Sequence, residues 1–160
     1  MTNYQSFRLE NLDETGLTNL AVELAGLITP PLVIYLSGPL GAGKTSFARA
    51  FVQALGYPGR VKSPTYSLVE TYPVNGAVVV HLDLYRINDP AELEYLGLDD
   101  ILANTLCLVE WPEKGLPALP DSDLLIELDG SGDSRDLILT PNNEKALTLM
   151  ESVAWSAYRI

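Results

Sequence analysis

Gly38-Pro39-Leu40-Gly41-Ala42-Gly43-Lys44-Thr45 sets a glycine, four residues and then Gly-Lys-Thr in the spacing of a phosphate-binding loop. Glycine lets the backbone turn tightly enough for successive N–H groups to converge on phosphate oxygens. Lys44 supplies a compact positive charge for the terminal phosphates, and the hydroxyl of Thr45 is a ligand for Mg2+. The flanks fit this reading. Leu32-Val33-Ile34-Tyr35-Leu36 reads as a buried strand, and residues 46–55, opening at Ser46 and stopped by Gly56, read as an amphipathic helix. A helix starting at Thr45 turns the positive end of its dipole toward the loop. Strand, glycine loop and helix together point to binding of a nucleoside triphosphate.

Outward from the loop, the chain alternates strands and helices. Phe7-Arg8-Leu9 is a short first strand, and Asp13 is a suitable N-cap for a helix to about Ala25, with Leu17, Leu20, Ala21 and Leu24 on one face. Residues 65–72 have strand composition, and Asn75-Gly76 turns them into a second strand, residues 77–83. Asp89 caps a helix that has Pro90 in its first position and runs to Leu96 and Gly97. A short helix near residues 99–103 precedes a strand at 106–110. Two more strands are expected at 124–128 and 137–140, joined through Gly130-Ser131-Gly132-Asp133, and then a helix over 146–158. The pattern predicts α/β layers around a mixed sheet.

Length and composition narrow the class. At 160 residues the chain suits one domain, with 47% apolar residues and no need of metal or disulfide staples. Its longest apolar runs fall short of a membrane span, and Asn3, Gln5 and Arg8 interrupt any signal-peptide core, so a cytoplasmic protein without a membrane partner is expected. The single cysteine, Cys107, lies in the apolar run Leu106-Cys107-Leu108-Val109 and reads as a small buried residue. A net charge of -11, from 10 basic and 21 acidic side chains, argues against an extended grip on nucleic acid.

Other residues carry possible chemistry. Val78-Val79-Val80-His81-Leu82-Asp83 is an apolar strand ending in an acid, the arrangement in which a carboxylate holds Mg2+ directly or through water. His81, the only histidine, reads as a packed or edge-exposed strand residue rather than a catalytic one. Glu110 ends another strand, and ligands of open α/β sheets sit beyond the carboxyl ends of strands. On spacing, Glu110 is a Mg2+ ligand, a group that positions attacking water, or a solvated loop acid. Trp111 is either a core anchor or a cover over the nucleotide. Thr65, in Ser63-Pro64-Thr65, stands where a switch hydroxyl senses the terminal phosphate in GTPases, or at an ordinary loop-to-strand junction. With no Asn-Lys-X-Asp element in the chain, ATP is the expected nucleotide.

Taken together these motifs resemble the TsaE (YjeE) family, the small bacterial ATPases of tRNA threonylcarbamoyladenosine (t6A) synthesis. The resemblance rests on Leu40-Gly41-Ala42-Gly43-Lys44-Thr45, Val61-Lys62-Ser63-Pro64-Thr65-Tyr66-Ser67-Leu68-Val69-Glu70, His81-Leu82-Asp83-Leu84-Tyr85-Arg86 and Glu110-Trp111-Pro112-Glu113-Lys114-Gly115, in family order. It spans roughly residues 13–128. It implies a single P-loop domain over residues 1–160, three-layer α/β/α with a mixed, mostly parallel central sheet. It implies ATP and Mg2+ as cofactors, and action on a TsaB–TsaD pair in which TsaD transfers the threonylcarbamoyl group to tRNA, so that tRNA is met only indirectly. Carried over by position, the loop from Gly38 through Leu40, Gly41, Ala42, Gly43 and Lys44 to Thr45 and Ser46 cradles the nucleotide. Thr45, Glu110 and Asp83 serve Mg2+, and Thr65 is the switch hydroxyl. Trp111 lies near the nucleotide, and the adenine meets the start of the first helix at Asp13-Glu14-Thr15. Pro39 departs from the polar or acidic residue of many relatives. Two other readings remain: a small-molecule P-loop kinase, against which stands the shortage of lid arginines after Glu110, and a docking protein that binds nucleotide without hydrolysing it. No arginine finger in the chain is justified by spacing, so a site completed by a partner is expected.

Overall fold

The computed structural model describes residues 4–64, 67–130 and 132–158. Its strands are β1 (Phe7–Leu12), β2 (Leu32–Ser37), β3 (Val69–Val74), β4 (Ala77–Asp83), β5 (Leu106–Glu110), β6 (Leu124–Asp129) and β7 (Arg135–Pro141). Its α-helices are α1 (Glu14–Leu27), α2 (Lys44–Ala54), α3 (Leu98–Leu102) and α4 (Glu144–Glu151). The seven strands form one sheet in the order β1-β7-β6-β2-β5-β4-β3. At its centre β6, β2, β5 and β4 run parallel, while β7 and β3 run against them and β1 returns to the common direction. The sheet is therefore mixed: five of the seven strands share one direction, but only three of the six strand pairs are parallel, so it is less parallel than expected.

The parallel strands are buried on both faces, which is why β2 and β5 read as nearly unbroken apolar runs. One face is covered by α1, α2 and α4 through Leu20, Leu24, Phe47, Phe51, Leu149 and Met150. Each fully buried side chain of this size contributes about 1.5–3 kcal/mol. The other face carries a smaller core of Tyr35, Val80, Leu82, Leu93, Cys107 and Val109, beneath α3 and the segment Pro90–Leu96. Among the described residues no helix is long and apolar enough to cross a membrane.

The helix expected after Asp89 is present over Pro90–Leu96, capped by Asp89 as expected and with Glu92 completing the cap, and it takes the 3-10 form. Pro90, Leu93 and Leu96 recur every third residue, the period at which side chains of a 3-10 helix align. Two other expectations need correction. The third strand begins at Val69 rather than residue 65, because Leu68 has a left-handed φ of 71° and breaks the extended run; Thr65 and Tyr66 lie outside the described residues. The last helix stops at Glu151, and a separate 3-10 turn, Trp155–Tyr158, follows. Contacts with the N-terminal half redirect the chain there: Trp155 stacks on Phe7 at 5.1 Å, and Tyr158 donates to Glu23 at 2.6 Å.

Candidate active site

β2 ends at Ser37 and the glycine loop begins at once. Gly38, Gly41 and Gly43 have φ of 148°, 79° and 103°, values that side-chain-bearing residues rarely adopt. A Cβ on Gly38 would stand 2.2 Å from the Leu128 carbonyl oxygen, so the loop can pass β6 only as glycine. Gly43 then opens α2 in left-handed conformation without a side-chain cap. The first turn of that helix thus keeps its N–H groups for an anion.

Lys44 is 5% exposed. Its ammonium donates to the carbonyls of Gly38 and Pro39 and stands 3.9 Å from the centre of the Trp111 ring. Burial holds it below the usual lysine value, opposed by the carboxylates of Glu110, Glu113 and Asp83. Trp111 is half-buried, has a left-handed φ of 58°, and packs on Tyr85 at 5.0 Å between ring centres. Its ring is the wall against which the loop lysine rests.

Glu110 and Asp83 are adjacent in the β4–β5 register, at the carboxyl ends of parallel strands and on the face that α2 covers. Alternation along β4 puts Val79, His81 and Asp83 on one face, and along β5 Leu106, Leu108 and Glu110. The Thr45 hydroxyl donates to Glu110, 3.0 Å from Oε1 and 3.3 Å from Oε2. Glu110 is 2% exposed, and of the roles left open for it a solvated loop acid is excluded. Asp83 is also buried, and its Oδ1 accepts from the Tyr85 N–H at 3.0 Å.

Next to the loop is a cleft of about 320 Å³. It is lined by the start of α1, with Asp13, Glu14 and Thr15, by Gly43 and Ser46 of the loop and α2, and by Arg135 of β7. Thr15 and Ser46 therefore share a cavity. Leu40 and Gly41 lie exposed at the loop tip, and Ala42 is buried under it.

Two residues of the site were not assigned a part from sequence. Arg135 ties the loop to β7: its Nε donates to the Ala42 carbonyl at 2.8 Å and an Nη to that of Gly41 at 3.0 Å. It is 93 residues from Ala42, and no local pattern announces such a pairing. His81 is no mere packing residue: its Nε2 stands 2.6 Å from Glu110 Oε2. Its signal was the alternation with Asp83, but Glu110 could be placed beside it only once β4 and β5 were known to pair. The expected switch hydroxyl of Thr65 lies outside the described residues.

Among the described residues no cluster of three His, Cys, Asp or Glu side chains can hold a metal ion by itself. Mg2+ does not ask for one. It keeps octahedral oxygen coordination and takes much of it from phosphate and water, with one or two protein groups. The Thr45 hydroxyl paired with the Glu110 carboxylate, Asp83 alongside, fits that demand.

Known proteins match this chain over most of its length. The family model "Threonylcarbamoyl adenosine biosynthesis protein TsaE" matches residues 11–137. The chain is 47% identical over 109 residues to the tRNA threonylcarbamoyladenosine biosynthesis protein TsaE of Haemophilus influenzae, covering 68% of this chain and 69% of that protein. The protein of the same description from Bacillus subtilis is 34% identical over 150 residues, 92% of each chain. The crystal structure of Bacillus subtilis YdiB superposes with a TM-score of 0.79 at 25% identity, over 98% of this chain and 99% of that one.

Proposed function

This chain belongs to the TsaE family of tRNA threonylcarbamoyladenosine biosynthesis proteins, and on that premise we propose that it is a Mg2+-dependent ATPase that supports turnover of a TsaB–TsaD threonylcarbamoyl transferase. The observation that carries the reading is the Thr45–Glu110 hydrogen bond at the foot of the glycine loop, with Asp83 in register beside it. A loop threonine next to two strand-end carboxylates suits a triphosphate and its cation, and a purely docking site has no need of the second acid.

The chain's own groups divide the work. Backbone N–H groups from Gly41 to Thr45 and the α2 terminus receive the phosphates. Lys44 exchanges its loop carbonyls for phosphate oxygens while the Trp111 ring keeps it in place. Thr45 and Glu110 hold Mg2+, which when bound neutralises charge developing between the terminal phosphates. Glu110 and Asp83, buried and acceptor-only when ionised, orient the attacking water. Thr15 and Ser46 line the base-side cleft. The Arg135 guanidinium is committed to loop carbonyls, so it braces the ground state rather than reaching the transferred phosphoryl group. A site without an arginine there is slow, by about 10³–10⁵ on the usual worth of that group, until a partner completes it.

Glu110→Ala tests the assignment. The variant is expected to bind ATP, followed by Trp111 fluorescence, and to lose hydrolysis on the order of 10²-fold. Turnover equal to that of the unchanged protein would remove Glu110 from the mechanism.

A further inference from the structure

Glu110 is reached from two sides. Thr45 approaches from α2, and His81 from β4, with its side chain 1% exposed against 3% for that of Glu110. The two contacts divide the carboxylate. Oε2 lies 2.6 Å from His81 Nε2, whereas Oε1 is the oxygen nearer the Thr45 hydroxyl. An ionised carboxylate only accepts, so Nε2 is the donor. His81 Nδ1 is buried and meets no partner among the described residues. Among the described residues the imidazole therefore has one hydrogen-bonding partner, Glu110.

We propose that His81 is a positioning residue for the cation site: its Nε2–H holds Oε2 of Glu110 and so presents Oε1 toward Thr45. This inference rests on the Mg2+-dependent reading of the site. A glutamate side chain has enough rotatable bonds to swing out of reach, and the single O–H of Thr45, which can still donate while its oxygen ligates a cation, leaves the carboxylate free to turn about that one bond. His81 then supplies the side-chain donor that keeps the carboxylate aimed. Packing alone does not account for it. Between Val79 and Asp83 on β4, and paired with Leu108, an apolar side chain would fill the space without burying an unpartnered Nδ1. Carboxylates that ligate metals are commonly held by such outer hydrogen bonds, whose removal costs about 10–100-fold in metal affinity or activity.

The test compares the unchanged protein with His81→Leu, which removes the donor, and His81→Gln, whose amide can replace it. ATP binding is measured by Trp111 fluorescence in EDTA and across a Mg2+ titration, and the imidazole nitrogens are read by NMR. His81→Leu is expected to bind ATP in EDTA as the unchanged protein does, but to need about 10–100-fold more Mg2+, with His81→Gln recovering most of the loss. The imidazole of the unchanged protein should carry its slowly exchanging proton on Nε2, and Glu110→Ala should abolish that protection. A Mg2+ requirement unaltered in His81→Leu would overturn the inference, as would equal losses in EDTA and Mg2+, the mark of a merely structural role. If His81→Leu does not fold, failure of His81→Gln to approach the Mg2+ requirement of the unchanged protein, or a proton protected on Nδ1 instead, overturns it. An unchanged protein that binds ATP without regard to Mg2+ contradicts the parent reading instead, and is recognised in the first titration.

Discussion

Gly38 and Glu110 show how single residues constrain this site in opposite ways. At Gly38 the requirement is absence: with φ at 148° and the Leu128 carbonyl oxygen 2.2 Å from where a methyl would lie, any side chain forces β2 and β6 apart. Gly38→Ala is therefore expected to lose about 1–3 kcal/mol of stability, read as a lower urea midpoint, and to weaken ATP binding. A midpoint equal to that of the unchanged protein would show that the loop can shift at no cost. At Glu110 the requirement is company. The sequence announced its position at a strand end, but its burial and its partners Thr45 and His81 depend on how α2 and β4 pack against β5. The loop residues were legible because glycine, lysine and threonine at fixed spacing answer to one local geometry. His81 and Arg135 were not, because their roles come from register and from contacts between distant segments.

Among the elements, those with clear local chemistry matched their sequence signals. Asp13 caps α1 by accepting from Gly16 N–H at 2.7 Å, and Asn75-Gly76 turns β3 into β4. Where local signals were weaker, tertiary contacts decided. The C-terminal segment has helical composition, yet the pull of Glu23 on Tyr158 and of Phe7 on Trp155 splits it after Glu151. The thin layer over β2 and β5 has its own consequence. Burial, and then the nearby Asp121 charge, raise the Tyr35 phenol from 10.0 to about 12, and burial raises the Cys107 thiol from 9.0 to about 12. Both groups keep their protons longer in the folded chain than in the unfolded one. The unfolded state thus gains by releasing them first, and stability should fall as pH rises from about 9 toward about 12. Urea midpoints across that range should decline, less steeply for Tyr35→Phe and Cys107→Ala together. An identical decline in the double variant would assign the alkaline loss to other groups.

At the scale of the molecule, the sheet order gathers the chemistry at one end. β2, β5 and β4 are neighbours and parallel, so the loop, Glu110 and Asp83 emerge side by side although they are distant in sequence. Alternating strands and helices disclosed the α/β class and the mixed sheet. The strand order, and the placing of β6 between β2 and β7, follow from long-range pairing that no local pattern carries. The charge of -11 belongs to this scale too. It suits a subunit that acts through protein partners and leaves tRNA to them. The most direct measurement is ATP hydrolysis by the purified protein, alone and with the TsaB–TsaD pair of its host. The account predicts slow turnover alone and clear stimulation by the pair, lost in Glu110→Ala. Equal rates with and without a pair shown to be active would contradict it.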